Sequence, residues 1–166
     1  GATNAFRVLG KGIGVAVLLV DVMKGLLPCL FLPALVAGVF PESQAPELQT
    51  LQMLIGGSAI LGHNYPCWLG FKGGKGIATF AGISLGYSWH VLLPFAVVWI
   101  AMAVIFRYSS LAALVASVAT TVAIFFVGLP KLGILYIVLT ILVFWKHRQN
   151  ISRLLAGTES KIGSKG

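Results

Sequence analysis

The sequence predicts an all-α membrane protein, a polytopic bundle of transmembrane helices. Hydrophobic residues make up 58% of the chain and charged residues only 10%, whereas a soluble domain carries about 25% charged residues. The few charges are clustered, which leaves apolar runs long enough to cross a hydrocarbon core of about 30 Å. A soluble helical bundle is disfavoured because the chain has too little polar surface to cover it. We interpret residues 1–166 as a single integral membrane domain.

Six apolar segments are predicted to cross the membrane. The first contains Pro28 and Pro33, which allow bends, and the second contains small residues that let helices approach closely. The third is short, and its composition fits a tilted or a re-entrant helix. The alternation of basic and acidic loops favours a crossing. The predicted spans are residues 12–40, 48–61, 77–89, 91–106, 111–128 and 133–145.

The net charge of +8 lies in the loops and the tail and not on one soluble face. We therefore expect membrane lipid, and no nucleic acid, to be the partner of these charges. The positive-inside rule places the basic side in the cytoplasm, together with both termini. On the basic side lie Arg7, Lys11, Lys72, Lys75, Arg107, Lys146, Arg148, Arg153, Lys161 and Lys165, and opposite them lie Glu42, Glu47, His90 and Lys131.

Asp21 and Lys24 interrupt the first apolar segment. They are three residues apart and so lie on one helical face. Charges at that depth are expected to face the bundle interior and to be paired. A structural ion pair is favoured over a direct role in substrate binding.

A glycine-rich segment, residues 62–79, separates the second and third apolar runs. Glycine allows positive φ and a close backbone approach, so consecutive N–H groups can point into one concavity. Lysines beside such a nest favour a phosphate group. The residues of this predicted phosphate site are Lys72, Gly73, Gly74, Lys75 and Gly76.

Several common catalytic arrangements are absent from the sequence. The glycine-rich segment is not a nucleotide-binding P-loop, because Lys75 is followed by Gly76 and not by Ser or Thr. Cys67 beside His63 fits a nucleophile–base pair, but a small packing residue is favoured. There is no zinc-ligand pattern, and only four carboxylates exist. The chemistry must therefore depend on positioning, positive charge and a histidine.

Two further polar stretches flank the apolar core. Residues 1–11 are polar and basic, and the tail after Trp145 places His147, Asn150 and Arg153 three residues apart. On a continuing helix these side chains share one side and suit hydroxyl and phosphate groups; a snorkelling helix end is the alternative. Both stretches and the glycine-rich segment are predicted to open on the cytoplasmic face, where they can build one site.

Three spaced motifs resemble the bacterial acyl-phosphate:glycerol-3-phosphate acyltransferase family. They are Gly-Ala-Thr-Asn-x-x-Arg at the start, Gly-His-x-x-Pro…Phe-x-Gly-Gly-Lys-Gly-x-Ala-Thr at 62–79, and Trp-Lys-His-Arg-x-Asn-Ile-x-Arg-Leu…Gly-x-Glu at 145–159. The resemblance covers essentially the whole chain. It implies a bacterial inner-membrane enzyme with its active site facing the cytoplasm and no obligate protein partner.

The resemblance implies a fatty acyl transfer from acyl phosphate to the 1-hydroxyl of glycerol-3-phosphate. The products would be lysophosphatidic acid and inorganic phosphate in phospholipid synthesis, and no acyl-CoA, metal or cofactor would be needed. The glycine-rich segment would bind acyl phosphate, and either a substrate phosphate oxygen or His147 would act as the base. The catalytic residues would be His147, Arg7 and Lys75; the substrate-binding set would be Thr3, Asn4, Arg7, Gly73, Gly74, Lys75, Gly76, His147 and Asn150; and Glu159, Asp21 and Lys24 would give structural support.

The chain departs from the family pattern at two places. A Gly-Ser-Gly-Asn segment and a further membrane helix are expected before Gly1, which would make seven spans. The segment after Arg107 has alanines where relatives carry another serine, so Ser109 or Ser110 is a candidate substitute. The alternative function is a small transporter or channel for an anionic phosphorylated metabolite. It is disfavoured because only Asp21 and Lys24 are charged within the spans.

Overall fold

A computed structural model describes residues 1–39 and 47–164. It confirms the all-α prediction, with 81% of the described residues in helices. Most of the predicted acidic loop, including Glu42, lies outside the described residues, as does Lys165. The helices are α1 (Ala2–Val8), α2 (Gly10–Ala37), α3 (Leu48–Asn64), α4 (Ile77–Tyr87), α5 (Trp89–Phe106), α6 (Ser109–Phe126), α7 (Pro130–Lys146) and α8 (Arg148–Leu155), with a short 3₁₀ turn at Cys67–Leu69.

Helices α2–α7 correspond in order to the six predicted spans. By length and composition, three helices in the described part of the chain qualify to cross a membrane, at Gly10–Val36, Trp89–Phe106 and Ser109–Phe126. The count reaches four if α7 and α8, which bend by 62° at their junction, form one broken span. Helix α4 is apolar but shorter. Three or four of the described helices are therefore long and apolar enough to cross a membrane, and the number six stays a prediction.

The chain divides into two compact units, Gly1–Trp89 and His90–Gly166. In the first unit, α2 packs closely on α4 through glycines. A side chain at Gly25 would overlap the carbonyl oxygen of Thr79, and a side chain at Gly82 would overlap that of Val22. Such small residues let two backbones approach, which is the main means of helix association in lipid. The Thr79 hydroxyl adds a buried 3.1 Å hydrogen bond to the backbone carbonyl of Asp21.

The second unit has a polar seam between α6 and α7. The hydroxyls of Thr121 and Thr140 are 2.9 Å apart, and the Thr140 hydroxyl donates to the carbonyl of Ser117 at 3.2 Å. Tyr136 is fully buried on α7. Hydroxyl hydrogen bonds between helices are the usual polar contacts inside a membrane bundle, so this seam fixes α7 against α6.

The chain ends differ from the sequence predictions in two ways. Residues 2–8, which the sequence marked only as part of a polar and basic stretch, form a helix of their own, and Gly10, with φ of 86°, starts α2. The last helix does not continue straight through the tail, because the chain bends by 62° between α7 and α8. His147 lies at this bend. The relative position of the His147 and Asn150 side chains therefore depends on the bend and does not follow from a shared face of one straight helix.

Candidate active site

Asp21 is the buried centre of a charged cluster in the first unit. Its Oδ1 accepts a 2.8 Å hydrogen bond from Nζ of Lys24 on the same helix. Nδ1 of His63, near the end of α3, lies 3.5 Å from the same oxygen. The Asp21 and His63 side chains are 7% and 8% exposed, whereas Lys24 is 50% exposed. The predicted ion pair is present, and it has a third member that sequence spacing did not reveal.

The glycine-rich loop, residues 65–76 between α3 and α4, closes onto α3 through its backbone. The N–H of Gly73 donates to the carbonyl of Asn64 at 3.1 Å, and the N–H of Gly74 donates to the carbonyl of His63 at 3.3 Å. A side chain at Gly73 would overlap that carbonyl, and one at Gly74 would overlap the His63 ring. These two amides therefore close the loop and do not form the nest expected from the sequence. The assignment of both glycines to substrate binding stays a prediction.

Helix α4 begins directly after this loop. Its N-cap is Gly76, which has φ of 80° and no side chain to cap the helix. A Cβ at Gly76 would lie 2.9 Å from Oδ1 of the buried Asn64. The first-turn N–H groups of a helix and its dipole favour anions, and Lys75 is exposed beside them. The start of α4 is therefore the part of the loop best suited to a phosphate group.

Helix α1 carries the predicted polar residues of the first motif. Thr3, Asn4 and Arg7 are all exposed. Helix α1 packs on α2, where a side chain at Gly14 would overlap Phe6. Close packing at Phe6 fixes α1 and leaves its polar side chains accessible to a ligand.

Glu159 is the centre of a second cluster, in the second unit. Its Oε1 accepts hydrogen bonds from Oγ of Ser110 at 2.7 Å and from Nδ2 of Asn150 at 2.6 Å. Its Oε2 accepts from Nε of Arg153 at 2.7 Å. The carboxylate side chain is only 7% exposed. These bonds join the start of α6 to α8 and orient the Asn150 amide. The supporting role of Glu159 in a substrate site stays a prediction.

A glycine turn returns the chain to this cluster after α8. Gly157 has φ of 70°, and its N–H donates to the carbonyl of Leu154 at 3.2 Å. The N–H of Thr158 donates to the carbonyl of Arg153 at 2.8 Å. This pair of bonds is a Schellman motif, which favours glycine at the left-handed position. The turn explains why the third motif has Gly-x-Glu after its helix.

The Glu159 carboxyl has a lowered pKa. Burial would raise this pKa, but hydrogen bonds from Asn150, Ser110 and Arg153, with the charge of Arg153, together lower it from the ordinary value of 4.5. The carboxylate form is the one that accepts all of these bonds. Glu159 is therefore ionised at neutral pH and acts as an acceptor.

His147 is 3% exposed at the corner between α7 and α8. Its Nδ1 lies 2.8 Å from the carbonyl oxygen of Val143. Because a carbonyl only accepts, Nδ1 carries a proton, and in the neutral ring Nε2 is the acceptor. An imidazole in this state can accept a hydrogen bond or a proton from a hydroxyl group.

The tail after Glu159 is fastened to the turn between α5 and α6. The N–H of Ile162 donates to the carbonyl of Arg107 at 2.6 Å, and Nη2 of Arg107 donates to the carbonyl of Ile162 at 2.9 Å. Arg107 has φ of 62°, an uncommon conformation for a residue with a side chain. Nζ of Lys161 lies 5.7 Å from the centre of the Tyr108 ring. Sequence patterns gave no sign of these contacts, which join positions about fifty residues apart.

The predicted site residues fall into one group in each unit. The structure also gives contacts to three residues whose role the sequence did not define, His63, Ser110 and Thr79. The described residues contain no group of three or more His, Cys, Asp or Glu that could hold a metal ion. That both groups serve one site stays a prediction. The first unit holds Thr3, Asn4, Arg7, Asp21, Lys24, Gly73, Gly74, Lys75 and Gly76, and the second holds His147, Asn150 and Glu159.

The fold and these clusters define an all-helical integral membrane protein with basic and amide groups at its helix ends. Residues 1–157 match the family described as glycerol-3-phosphate acyltransferase. A glycerol-3-phosphate acyltransferase of Mesorhizobium japonicum is 52% identical over 166 residues, which are 100% of this chain and 79% of the relative. One from Brucella ovis is 45% identical over 166 residues, 100% of this chain and 77% of the relative.

Two solved structures are also similar. Both are of PlsY (YgiH), an integral membrane glycerol 3-phosphate acyltransferase. The glycerol 3-phosphate form has a TM-score of 0.85 and 38% identity, covering 98% of this chain and 78% of that chain. The lysophosphatidic acid form has a TM-score of 0.84 and 37% identity, covering 98% of this chain and 79% of that chain. The chain belongs to the glycerol-3-phosphate acyltransferase family, and it is a membrane acyltransferase acting on glycerol-3-phosphate.

Proposed function

We propose that this enzyme takes its acyl group from an acyl phosphate and transfers it to the 1-hydroxyl of glycerol-3-phosphate. The observation that carries the proposal is the glycine-rich loop, which places an exposed lysine beside the uncapped start of α4. This arrangement suits a phosphate leaving group. Solved relatives in glycerol 3-phosphate and lysophosphatidic acid forms support the acceptor and the product.

The reaction balances without an added reagent. The 1-hydroxyl oxygen attacks the acyl carbonyl carbon, a new ester C–O bond forms, and the bond from the acyl carbon to the phosphate oxygen breaks. Inorganic phosphate leaves with the electron pair. The hydroxyl proton passes to an oxygen of a substrate phosphate, because the chain's own carboxylates are few and Glu159 is held as an acceptor by three donors.

Side chains of both units have roles in this proposal. Lys75 and the first turn of α4 bind the phosphate of the donor. Arg7, with Thr3 and Asn4 on α1, binds glycerol-3-phosphate, and Asn150 contributes hydrogen bonds to the same substrate. Nε2 of His147 accepts a hydrogen bond from the attacking hydroxyl and orients it, because Nδ1 is bound to Val143. Glu159 and the Asp21–Lys24 pair support these groups.

The site is proposed to face the cytoplasm of a bacterial inner membrane. The predicted topology puts the basic loops on that side. An acyl phosphate is amphiphilic, so its chain stays in lipid while its phosphate and glycerol-3-phosphate remain in water. A site at the lipid–water boundary serves both substrates.

The direct test supplies purified, detergent-solubilised protein with labelled glycerol-3-phosphate and either palmitoyl phosphate or palmitoyl-CoA. Labelled lysophosphatidic acid is expected with palmitoyl phosphate and not with palmitoyl-CoA. Product from palmitoyl-CoA alone would refute the proposed donor. Uptake of labelled glycerol-3-phosphate into proteoliposomes without any acylated product would support the transporter instead.

A further inference from the structure

His63 stands between the buried charge of α2 and the glycine-rich loop. Nδ1 of its ring lies 3.5 Å from Oδ1 of Asp21. The other edge of the ring faces Gly74, where an added Cβ would lie 2.9 Å from Cε1 and closer still to Nε2. The backbone carbonyl of His63 also accepts the N–H of Gly74 at 3.3 Å. One residue therefore contacts the loop through both its ring and its backbone.

Asp21 fixes both ends of the same loop. Its carboxylate lies beside His63, which precedes the loop, and its backbone carbonyl accepts the hydroxyl of Thr79, which follows the loop, at 3.1 Å. All three residues are largely buried, since the side chains of Asp21 and His63 are 7% and 8% exposed and Thr79 is 0% exposed. Buried polar contacts of this kind hold a neighbouring segment in one geometry.

We propose that Asp21 and His63 are positioning residues that set the conformation of the glycine-rich loop and thereby its affinity for a phosphate group. The inference rests on the proposed function, in which this loop binds a substrate phosphate. Neither residue is assigned contact with substrate. His63 acts through Gly74, whose lack of a side chain leaves room for the imidazole, and Asp21 acts by holding that ring in place.

The contact between His63 and Gly74 supplies a specific test. Gly74→Ala forces a methyl group into the ring, so it is expected to raise the KM for a phosphorylated substrate. His63→Ala removes the ring. Gly74→Ala is therefore expected to raise the KM less in a protein that also carries His63→Ala than in a protein that keeps His63. Residues in direct contact couple in this way, and we expect the KM cost of Gly74→Ala to shrink by about fivefold or more.

The kinetic measurement uses KM and kcat for palmitoyl phosphate and for glycerol-3-phosphate, determined separately. The substrate whose KM rises is the one whose phosphate the loop binds. Asp21→Asn keeps the side-chain shape and is expected to raise the same KM, with no further rise when His63→Ala is added. A role in folding alone would lower the yield of folded protein without this matched change in KM.

Gly62→Ala is the control, since Gly62 lies in the same helix end with nothing within 4 Å of an added Cβ. Its KM values are expected to equal those of the wild type in both His63 backgrounds. If Gly74→Ala raises the KM of an active enzyme by the same factor with and without the His63 ring, the positioning role is overturned. If His63→Ala does not fold, His63→Ser gives the same comparison. Wild-type protein without transfer from palmitoyl phosphate would instead overturn the proposed function.

Discussion

The orientation of His147 follows from a single hydrogen bond. Its Nδ1 proton is bound to the carbonyl of Val143, four residues earlier in α7, and the ring is 3% exposed. The acceptor atom Nε2 is thereby defined before any substrate arrives. This preorganisation suits a residue that orients a hydroxyl, because little reordering is needed in the transition state.

Replacement of His147 separates orientation from proton transfer. His147→Ala is expected to lower kcat/KM by about 100-fold, because the attacking hydroxyl loses its orientation. His147→Gln retains an acceptor and should keep more activity than His147→Ala, because the substrate phosphate is proposed to take the proton. The check is the pair of kcat/KM values from initial rates at saturating palmitoyl phosphate. Equal losses in both variants, with a pH profile that follows an imidazole, would make His147 the base.

The Glu159 cluster makes stability depend on pH in a defined direction. The pKa of Glu159 is lowered from 4.5 in the folded protein, so its stabilising effect is fully present above 4.5 and is lost as the pH falls through the lowered pKa. Glu159→Gln removes the titration and keeps the side-chain size. The thermal unfolding temperatures of the wild type and of Glu159→Gln should therefore differ at pH 7 and converge as the solution is acidified. A difference that stays constant down to pH 3 would exclude this carboxyl as the cause.

At the scale of helices, the close contact of α2 and α4 positions both ends of the glycine-rich loop. Gly82 and Gly86 are four residues apart on α4, a spacing that marks helix-packing faces in membranes. An added Cβ at Gly86 would lie 2.6 Å from Cβ of Cys29. This signal was present in the sequence, and it would have predicted which face of α4 meets α2.

The consequence for stability can be measured with two glycine variants. Gly82→Ala places a methyl group against the Val22 carbonyl and is expected to destabilise the fold by about 1–3 kcal/mol. Gly62→Ala meets no atom within 4 Å and should be neutral or stabilising by about 0.5–1 kcal/mol, since alanine is the better helix residue. Thermal unfolding in the same detergent gives both values. A Gly82→Ala protein as stable as Gly62→Ala would contradict the close approach of α2 and α4.

The positions of most helices could be predicted from the sequence, but the bend between α7 and α8 and the contacts between separate helices could not. Apolar runs defined the positions of α2 to α7, since helix length follows from hydrophobic length. The bend at His147 was missed because no proline or glycine marks it. The contact of Asp21 with Lys24 was predictable from three-residue spacing, whereas its contact with His63 depends on packing between separate helices.

At the scale of the molecule, the three motifs are expected to serve one reaction. Arg7→Ala and Lys75→Ala should each reduce turnover strongly, by about 100-fold if each removes one charged contact in the transition state, while the proteins remain folded. Lys131→Ala is the matched control because it lies on the opposite side in the predicted topology. Activity in detergent and elution as a single folded species check the three variants. Near-normal turnover after loss of Arg7 and of Lys75 would remove both from the site.

The long-range contacts show why the site was only partly predictable. The family resemblance implied that Glu159 is a supporting residue, and the structure gives it three donors from α6 and α8. No local pattern links Ser110 to Glu159, because hydrogen bonds between distant positions depend on how the helices pack. Family resemblance supplied the residues, and the structure supplied the contacts that orient them.

The most direct measurement of the central claim is the stoichiometry of phosphate release. Palmitoyl phosphate and labelled glycerol-3-phosphate are incubated with the purified enzyme, and inorganic phosphate and lysophosphatidic acid are quantified together. One phosphate is expected for each lysophosphatidic acid, with neither product formed when glycerol-3-phosphate is omitted. Phosphate release that does not require glycerol-3-phosphate, or lysophosphatidic acid formed without phosphate, would contradict an acyl transfer from acyl phosphate.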